Sequence, residues 1–284
     1  MERLILLMYC PDKKGIIAAV TNFIHERNGN IVYIDQYVDR VKGAFFMRIE
    51  VEGDFSLKHF DDFKAKFWNE LGDPFKMSCK FYLADILPKM AVFVSKYDHC
   101  LYDILAQQSS GKLDCTIPFI ISNHKDLKPI ADQFNIPFYH IPVTKETKDQ
   151  AEQKQLELLK KYDVNCIVLA RYMQIVSSRI IDAYPSKIIN IHHSFLPAFP
   201  GAKPYHSAFQ RGVKIIGATS HYVTEELDGG PIIEQDIIRV SHEHEVKDFI
   251  LKGQDLERFV LLRALKLHCE RKIMTYSNKT IVFN

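Results

Sequence analysis

The first third of the chain alternates between two hydrophobic periods. Leu4–Tyr9 is a short apolar run that predicts a strand, and Cys10-Pro-Asp-Lys-Lys-Gly15 is a cluster of turn formers. Ile16, Ile17, Val20, Phe23 and Ile24 recur at helical spacing over Ile16–Glu26, and Asn28-Gly-Asn30 supplies the left-handed positions that end a helix. Ile31–Val38 and Ala44–Val51 are β-rich runs joined by Val41-Lys-Gly43, a hairpin pattern. Ser56–Leu71 is amphipathic and helical, and Phe75–Leu83 reads as a strand. The predicted order βαββαβ within residues 1–84 is the split-βαβ pattern of a ferredoxin-like α+β domain.

After the connector Asp85-Ile-Leu-Pro-Lys89 the pattern changes. Met90–Val94, Thr116–Ser122, Phe138–Ile141, Val164–Ala170 and Lys187–Ile191 predict strands, with helices at Cys100–Gln108, Lys125–Phe134 and Lys148–Tyr162. Strands alternating with helices imply an open, mostly parallel sheet with helices on both faces. Ile215–Thr224 and Pro231–Val240 read as an antiparallel pair, Val246–Cys269 as a long helix, and Met274–Tyr276 and Thr280–Phe283 as short terminal strands. The expected organisation is an α+β domain over 1–84, a linker over 85–89 and an α/β domain over 90–284.

Composition narrows the class. The 284 residues are 47% hydrophobic and 25% charged, normal for a folded chain with a sizeable core. A net charge of +2 argues against a nucleic-acid groove or an anionic membrane as partner. The six cysteines are scattered without a CxxC pair, which predicts reduced thiols in a cytoplasmic protein. Met1-Glu-Arg-Leu-Ile-Leu-Leu-Met8 lacks the features of a signal peptide, and no stretch reaches the ~18–20 apolar residues that span a bilayer.

The candidate chemistry lies in Asn190-Ile-His-His-Ser-Phe-Leu-Pro-Ala-Phe199 and Leu227-Asp-Gly-Gly-Pro231. Asn190 and His192 sit two apart at a strand end, so their side chains share one side. On spacing alone the pair fits a capped turn and a core histidine as well as a site. The loop Ser194–Gly201 that follows is apolar and turn-rich, a wall that keeps water from a pocket. Asp228 stands in a segment that also reads as a solvated acidic turn. Together, an amide donates to a developing oxyanion, an imidazole carries a proton, and a carboxylate holds the imidazole charged or takes a proton from water. Those jobs describe transfer of a small acyl group. Tyr172, Met173 and Val176 offer either ordinary core or a slot for a flat heterocycle.

Other chemistries lose support. His192, His193, His206 and His221 lie near one another in sequence but lack HExxH spacing, so no metal is expected. Neither GxGxxG nor GxxxxGK[ST] occurs, and the turn Val94-Ser-Lys-Tyr-Asp-His99 has no glycine, so no dinucleotide or ATP site is expected.

Asn190-x-His192-His-Ser194-Phe-Leu196-Pro197 followed by Asp228-x-Gly230 resembles the pattern of the folate-dependent formyltransferase family, and Leu169–Val176 resembles its folate-pocket strand end and loop. Residues 1–84 resemble an ACT domain. The two together resemble the formyltetrahydrofolate deformylase family, with further likeness in Ile216–Tyr222 and in the ending Tyr276–Phe283. The resemblance implies hydrolysis of 10-formyltetrahydrofolate to formate and tetrahydrofolate, in one-carbon balance and purine biosynthesis, with no prosthetic group. It implies Asn190, His192 and Asp228 as catalytic residues and Tyr172, Met173, Val176, Leu227, Gly229 and His193 around the substrate, with backbone groups near Leu227 and Asp228 reading the pterin edge. An amino-acid effector at Asp12, Lys14 and Gly15, and a homo-oligomer (dimer or tetramer), follow from the ACT likeness; a purely structural or dimerising ACT domain is the other reading. His193, where the transferase pattern has proline, and the glycine-free loop Ser95–His99 favour water as acceptor. The alternatives are formyl transfer to a nucleotide amine of the glycinamide ribonucleotide type, transfer to aminoacylated tRNA, which the low net charge disfavours, and a non-enzymatic folate or amino-acid sensor, which has no need of all three polar residues.

Overall fold

The computed structural model describes residues 2–197 and 204–283, with backbone alone at residues 57 and 58, and divides the chain into two units. The first runs to Leu87 and includes Arg271–Met274 and the residues from Ile281; the second comprises Pro88–Glu270 and Thr275–Thr280.

The first unit contains β1 (Glu2–Pro11), α1 (Ile16–His25), β2 (Asn30–Asp39), β3 (Ala44–Gly53), α2 (Leu57–Phe67), the short α3 (Asp73–Phe75) and β4 (Ser78–Leu83). Its sheet has the order β2-β3-β1-β4 and is antiparallel throughout. Leu4, Leu6 and Met8 of β1 alternate onto the face that packs with Val20, Phe23, Ile24 and Phe67 of the helices. The βαββαβ order expected from the sequence is present, with two local differences. The helix expected over Ser56–Leu71 changes to a π-helical turn at Trp68–Gly72, ahead of Pro74, which has no N–H for a continuing helix. The strand expected from Phe75 starts at Ser78, because Phe75 ends α3 and Lys76 turns with φ +52.

The sequence assigned everything from 90 to 284 to the second domain, whereas Arg271–Met274 cluster with the first unit. Arg48, buried in β3, donates from Nε to the Arg271 carbonyl at 3.0 Å and from a terminal nitrogen to Glu50 at 2.6 Å. A buried guanidinium needs such partners, and one of them comes from the far end of the chain.

The second unit runs β5 (Met90–Val94), α4 (His99–Ser109), β6 (Ile120–Ser122), α5 (Lys128–Gln133), β7 (Phe138–His140), α6 (Lys148–Lys161), β8 (Cys166–Leu169), α7 (Ser178–Ala183), β9 (Ile188–His192), α8 (Pro204–Arg211), β10 (Ile215–Tyr222), β11 (Ile232–Arg239) and α9 (Val246–Cys269). β12 (Ile273–Tyr276) and β13 (Lys279–Val282) form a separate pair. The seven-stranded sheet has the order β11-β10-β9-β8-β5-β6-β7. The run β9-β8-β5-β6-β7 is parallel, and β10 and β11 are antiparallel. Every residue of β5 and β8 is buried, as a sheet covered on both faces requires. The strand expected over Thr116–Ser122 shrinks to Ile120–Ser122, since Pro118 has no N–H for the ladder and Thr116 makes only an isolated bridge. The chain builds β6 and β7 on one flank of β5, then returns to build β8 and β9 on the other. The topological switch point therefore lies between β5 and β8, where ligands bind beyond the carboxyl ends of the strands. No helix among the described residues is long and apolar enough to cross a membrane.

Candidate active site

β9 delivers Asn190 and His192 one strand away from the switch point. Asn190 is in register with Leu169 of β8 on one side and with His221 of β10 on the other. Its Nδ2 lies 3.2 Å from His221 Nε2, and His221 Nδ1 lies 3.0 Å from the Tyr222 carbonyl oxygen. A carbonyl oxygen can only accept, so Nδ1 carries a proton, and Nε2 faces both the Asn190 amide and the Asp228 carboxylate. His221 thereby holds the Asn190 side chain at the strand end, where it lines the cleft.

Asp228 arrives from the turn between β10 and β11, at φ +56, a conformation aspartate tolerates better than most residues. Its Oδ2 is 3.2 Å from His192 Nδ1, and its Oδ1 is 3.6 Å from His221 Nε2. The hydrogen bonds to His192 and His221 hold the Asp228 carboxyl far below the usual carboxylate range, against the opposing effect of partial burial. Asp228 is thus a fixed negative charge. His192 is buried, and its Nε2 has no hydrogen-bond partner among the described residues. The carboxylate orients the ring through Nδ1 and leaves Nε2 for a reacting group.

Gly230 makes this turn possible. A Cβ there would sit 1.8 Å from the Tyr222 carbonyl oxygen, at the neck where the Tyr222 N–H donates to Pro231. Gly230→Ala is expected to open the neck, displace Asp228 and lower kcat about 10²-fold, the scale of a 1 Å misplacement. Steady-state kinetics beside a circular-dichroism melt would check this.

These groups line a solvent-open cleft of about 1150 Å³ whose other wall is apolar. Tyr172, Met173, Val176, Leu227 and His193, the residues expected around the substrate, all line this cleft. Gly229 does not. It closes the turn, donating to the Glu226 carbonyl at 3.1 Å and accepting from Asn278 at 2.9 Å. Tyr172 contributes its ring only, because its hydroxyl accepts from Gln155 at 3.1 Å and burial pushes the phenol up to about 12. The loop bearing these residues is pinned at both ends. The Met173 N–H donates to Ser95 Oγ at 3.0 Å, and the Ser177 N–H and hydroxyl both donate to the buried carboxylate of Glu152.

Of the four histidines close in sequence, His192, His193 and His221 line the cleft, and His206 is exposed on α8. Elsewhere, His99, Cys100 and Glu257 bring one ligand-type atom each within 4.8 Å of one another. Arg171 already neutralises Glu257, and burial pushes the Cys100 thiol far up, so this group is a buried ion-pair cluster. Asp12, Lys14 and Gly15 form an exposed turn between β1 and α1. Residues 198–203, the later part of the loop expected to wall the site, lie outside the described residues.

Comparison with known proteins identifies the family. The formyl transferase family model matches residues 88–265 and the ACT domain model residues 4–61. A formyltetrahydrofolate deformylase of Synechocystis is 52% identical over 279 residues, 98% of this chain and 97% of its own. The crystal structure of a formyltetrahydrofolate deformylase from Pseudomonas syringae superposes with a TM-score of 0.95 at 42% identity, covering 100% of this chain and 95% of that one. A glycinamide ribonucleotide transformylase from Symbiobacterium toebii covers 72% of this chain and 97% of its own, with a TM-score of 0.66 at 27% identity. An ACT domain followed by a formyl transferase domain, matched along nearly its whole length by such relatives, makes this chain a member of the formyltetrahydrofolate deformylase family.

Proposed function

We propose that this cleft binds 10-formyltetrahydrofolate and that Asn190, His192 and Asp228 direct its hydrolysis to formate and tetrahydrofolate. The pairing of His192 Nδ1 with Asp228 Oδ2 at 3.2 Å, in the same cleft as Asn190, carries the reading. The pterin takes the slot between Tyr172, Met173, Val176 and Leu227, with backbone groups near Leu227 and Asp228 facing its edge. Water attacks the formyl carbon, and the oxyanion receives an Asn190 N–H and the Nε2–H of protonated His192. The bond from carbon to N10 then breaks and His192 supplies the proton N10 needs; of the two protons the water brings, one returns to His192 and the other leaves to solvent as formate departs. A carboxylate held as low as Asp228 is a weak base. Its main work is to hold the His192 ring in place, to offer a fixed negative charge beside it, and to orient the water. The reading needs no prosthetic group. It is tested by incubating the full chain with 10-formyltetrahydrofolate and no amine: formate and tetrahydrofolate should appear in equal amounts, and their absence would end it.

The Asp228 charge also predicts a pH signature in stability. Its folded pKa is depressed, so its contribution is fully present above the unfolded value of about 3.9. That contribution is lost as pH falls through the lower folded value. Urea titrations should therefore show wild type losing its advantage over Asp228→Asn only below about pH 4. An advantage lost at neutral pH would contradict the assignment.

The same reading extends to the rest of the chain. An amino-acid effector at Asp12, Lys14 and Gly15 is supported by the exposed turn there and the ACT match. Pairing of chains into a dimer or tetramer follows from the same match. Six free cysteines suit a reducing, cytoplasmic setting, and the formate released suits supply to purine synthesis.

A further inference from the structure

Behind the cleft sits a carboxylate that the proposed reaction does not use. Glu257 of α9 is 0% exposed. Its Oε2 accepts from His99 Nε2 at 2.8 Å and lies 3.4 Å from Arg171 Nε, while its Oε1 accepts from the Tyr205 hydroxyl at 2.5 Å. Arg171 and His193 are walls of the cleft. The Arg171 guanidinium lies 4.8 Å from the Tyr97 ring centroid, and the His193 ring packs edge-on against Tyr205 at 5.9 Å. The loop after β5, the start of α4, the end of β8 and α8 therefore converge on one buried charge behind the walls next to His192.

The Glu257 charge is compensated within the cluster. Burial pushes Glu257 up, but the His99 hydrogen bond and the Arg171 charge more than reverse this, leaving the carboxyl below its ordinary range. Burial, then the Glu257 charge, drive the Tyr205 phenol upward, so it stays a donor. Removing one partner would strand a buried charge, which is costly, so the arrangement resists being displaced by a ligand. Gly253, one helical turn before Glu257, admits Tyr205: a Cβ there would lie 2.2 Å from the Tyr205 hydroxyl.

A formyl site that serves an amine needs two approaches to the carbonyl carbon, one for the folate and one for the acceptor. Here the apolar slot is open, and the Arg171 and His193 walls of the cleft are backed by His99, Tyr205 and Glu257; Arg171 and these three are each no more than 9% exposed. We infer that the Glu257 cluster with its Tyr97 lid closes the acceptor side of the cleft and so makes water the nucleophile. This rests on the cleft being the formyl site. If the cluster is loosened, an amine nitrogen attacks the formyl carbon, the bond to N10 breaks, the amine proton passes to N10, and an N-formyl amine is released with tetrahydrofolate.

The test uses the full chain with 10-formyltetrahydrofolate and glycinamide as the amine probe, measuring N-formyl product and formate together. Wild type should give formate almost alone. His99→Ala, which opens a gap beside Glu257, and Gly253→Ala, which pushes Tyr205 from the helix, should each raise the ratio of N-formyl product to formate by about tenfold or more, a change of ~1.4 kcal/mol in relative barriers. Folded variants that still release formate at the wild-type ratio would overturn the inference, as would a wild type that formylates glycinamide as readily as it hydrolyses. If those two variants do not fold, Tyr97→Ala decides by the same ratio, because Tyr97 is 44% exposed and its removal leaves the buried charges paired. A wild type that releases no formate at all would instead remove the cleft assignment.

Discussion

Asp228→Asn should lower kcat by roughly 10²–10⁴, the range that positioned acid–base groups supply. Asparagine keeps the side-chain shape and accepts the φ of +56 at this turn, so the backbone has no reason to move. What changes is the partner of His192. A carboxylate oxygen 3.2 Å from Nδ1 accepts its N–H and sets a fixed negative charge beside the ring that must carry a proton during the reaction. An amide offers no charge and can present a donor to a donor, driving the proton to Nε2 in a neutral ring that cannot give one up as an imidazolium does. Unit charges about 4 Å apart at an effective dielectric of 20 attract by about 4 kcal/mol, and a loss of 10³ in rate corresponds to about 4 kcal/mol. Partial exposure of Asp228 screens the pair, so the lower half of the range is the better expectation. Product affinity, read by titration with tetrahydrofolate, should stay near wild type because the apolar slot is untouched. A mild loss of kcat would remove the charge from the mechanism.

The second large effect is Asn190→Ala, expected to cost about 10²–10³ in kcat with little change in KM, the measured scale for one oxyanion donor. The amide is half-buried at a strand end and tied to His221, so truncation removes the N–H aimed at the substrate oxygen and frees the His221 ring. A melting temperature near wild type would separate the catalytic loss from a folding defect. A KM effect without a kcat effect would mean that Asn190 binds the ground state instead.

Residues acting through periodicity were legible in the sequence. β5 and α9 fall where the apolar runs put them, and the two-residue spacing of Asn190 and His192 placed both on one face of β9. Tyr172, Met173, Val176 and Leu227 follow from being near those ends in the chain and beside them in space. Register was not legible. Only the antiparallel pairing of β9 with β10 sets His221 against Asn190, so its role went unseen among histidines considered as metal ligands. Gly229 was expected at the substrate from the Asp-Gly-Gly motif, yet the hairpin turns it away and assigns the close approach to Gly230. α7 and α8, short and bounded by loops, had no period long enough to register. The Glu257 cluster joins residues up to 158 positions apart, so only the folded sheet brings them together. Arg271–Met274 join the first unit for the same kind of reason, through Arg48.

The central claim is that an amide, an imidazole and a carboxylate act together on one formyl group with water as acceptor. A single-turnover experiment, enzyme in excess over 10-formyltetrahydrofolate and no amine present, tests it most directly. Wild type should release one formate per tetrahydrofolate formed, and Asp228→Asn should bind the folate yet slow that release at least 10²-fold. No formate from wild type, or a release step in the variant as fast as in wild type, would contradict the account.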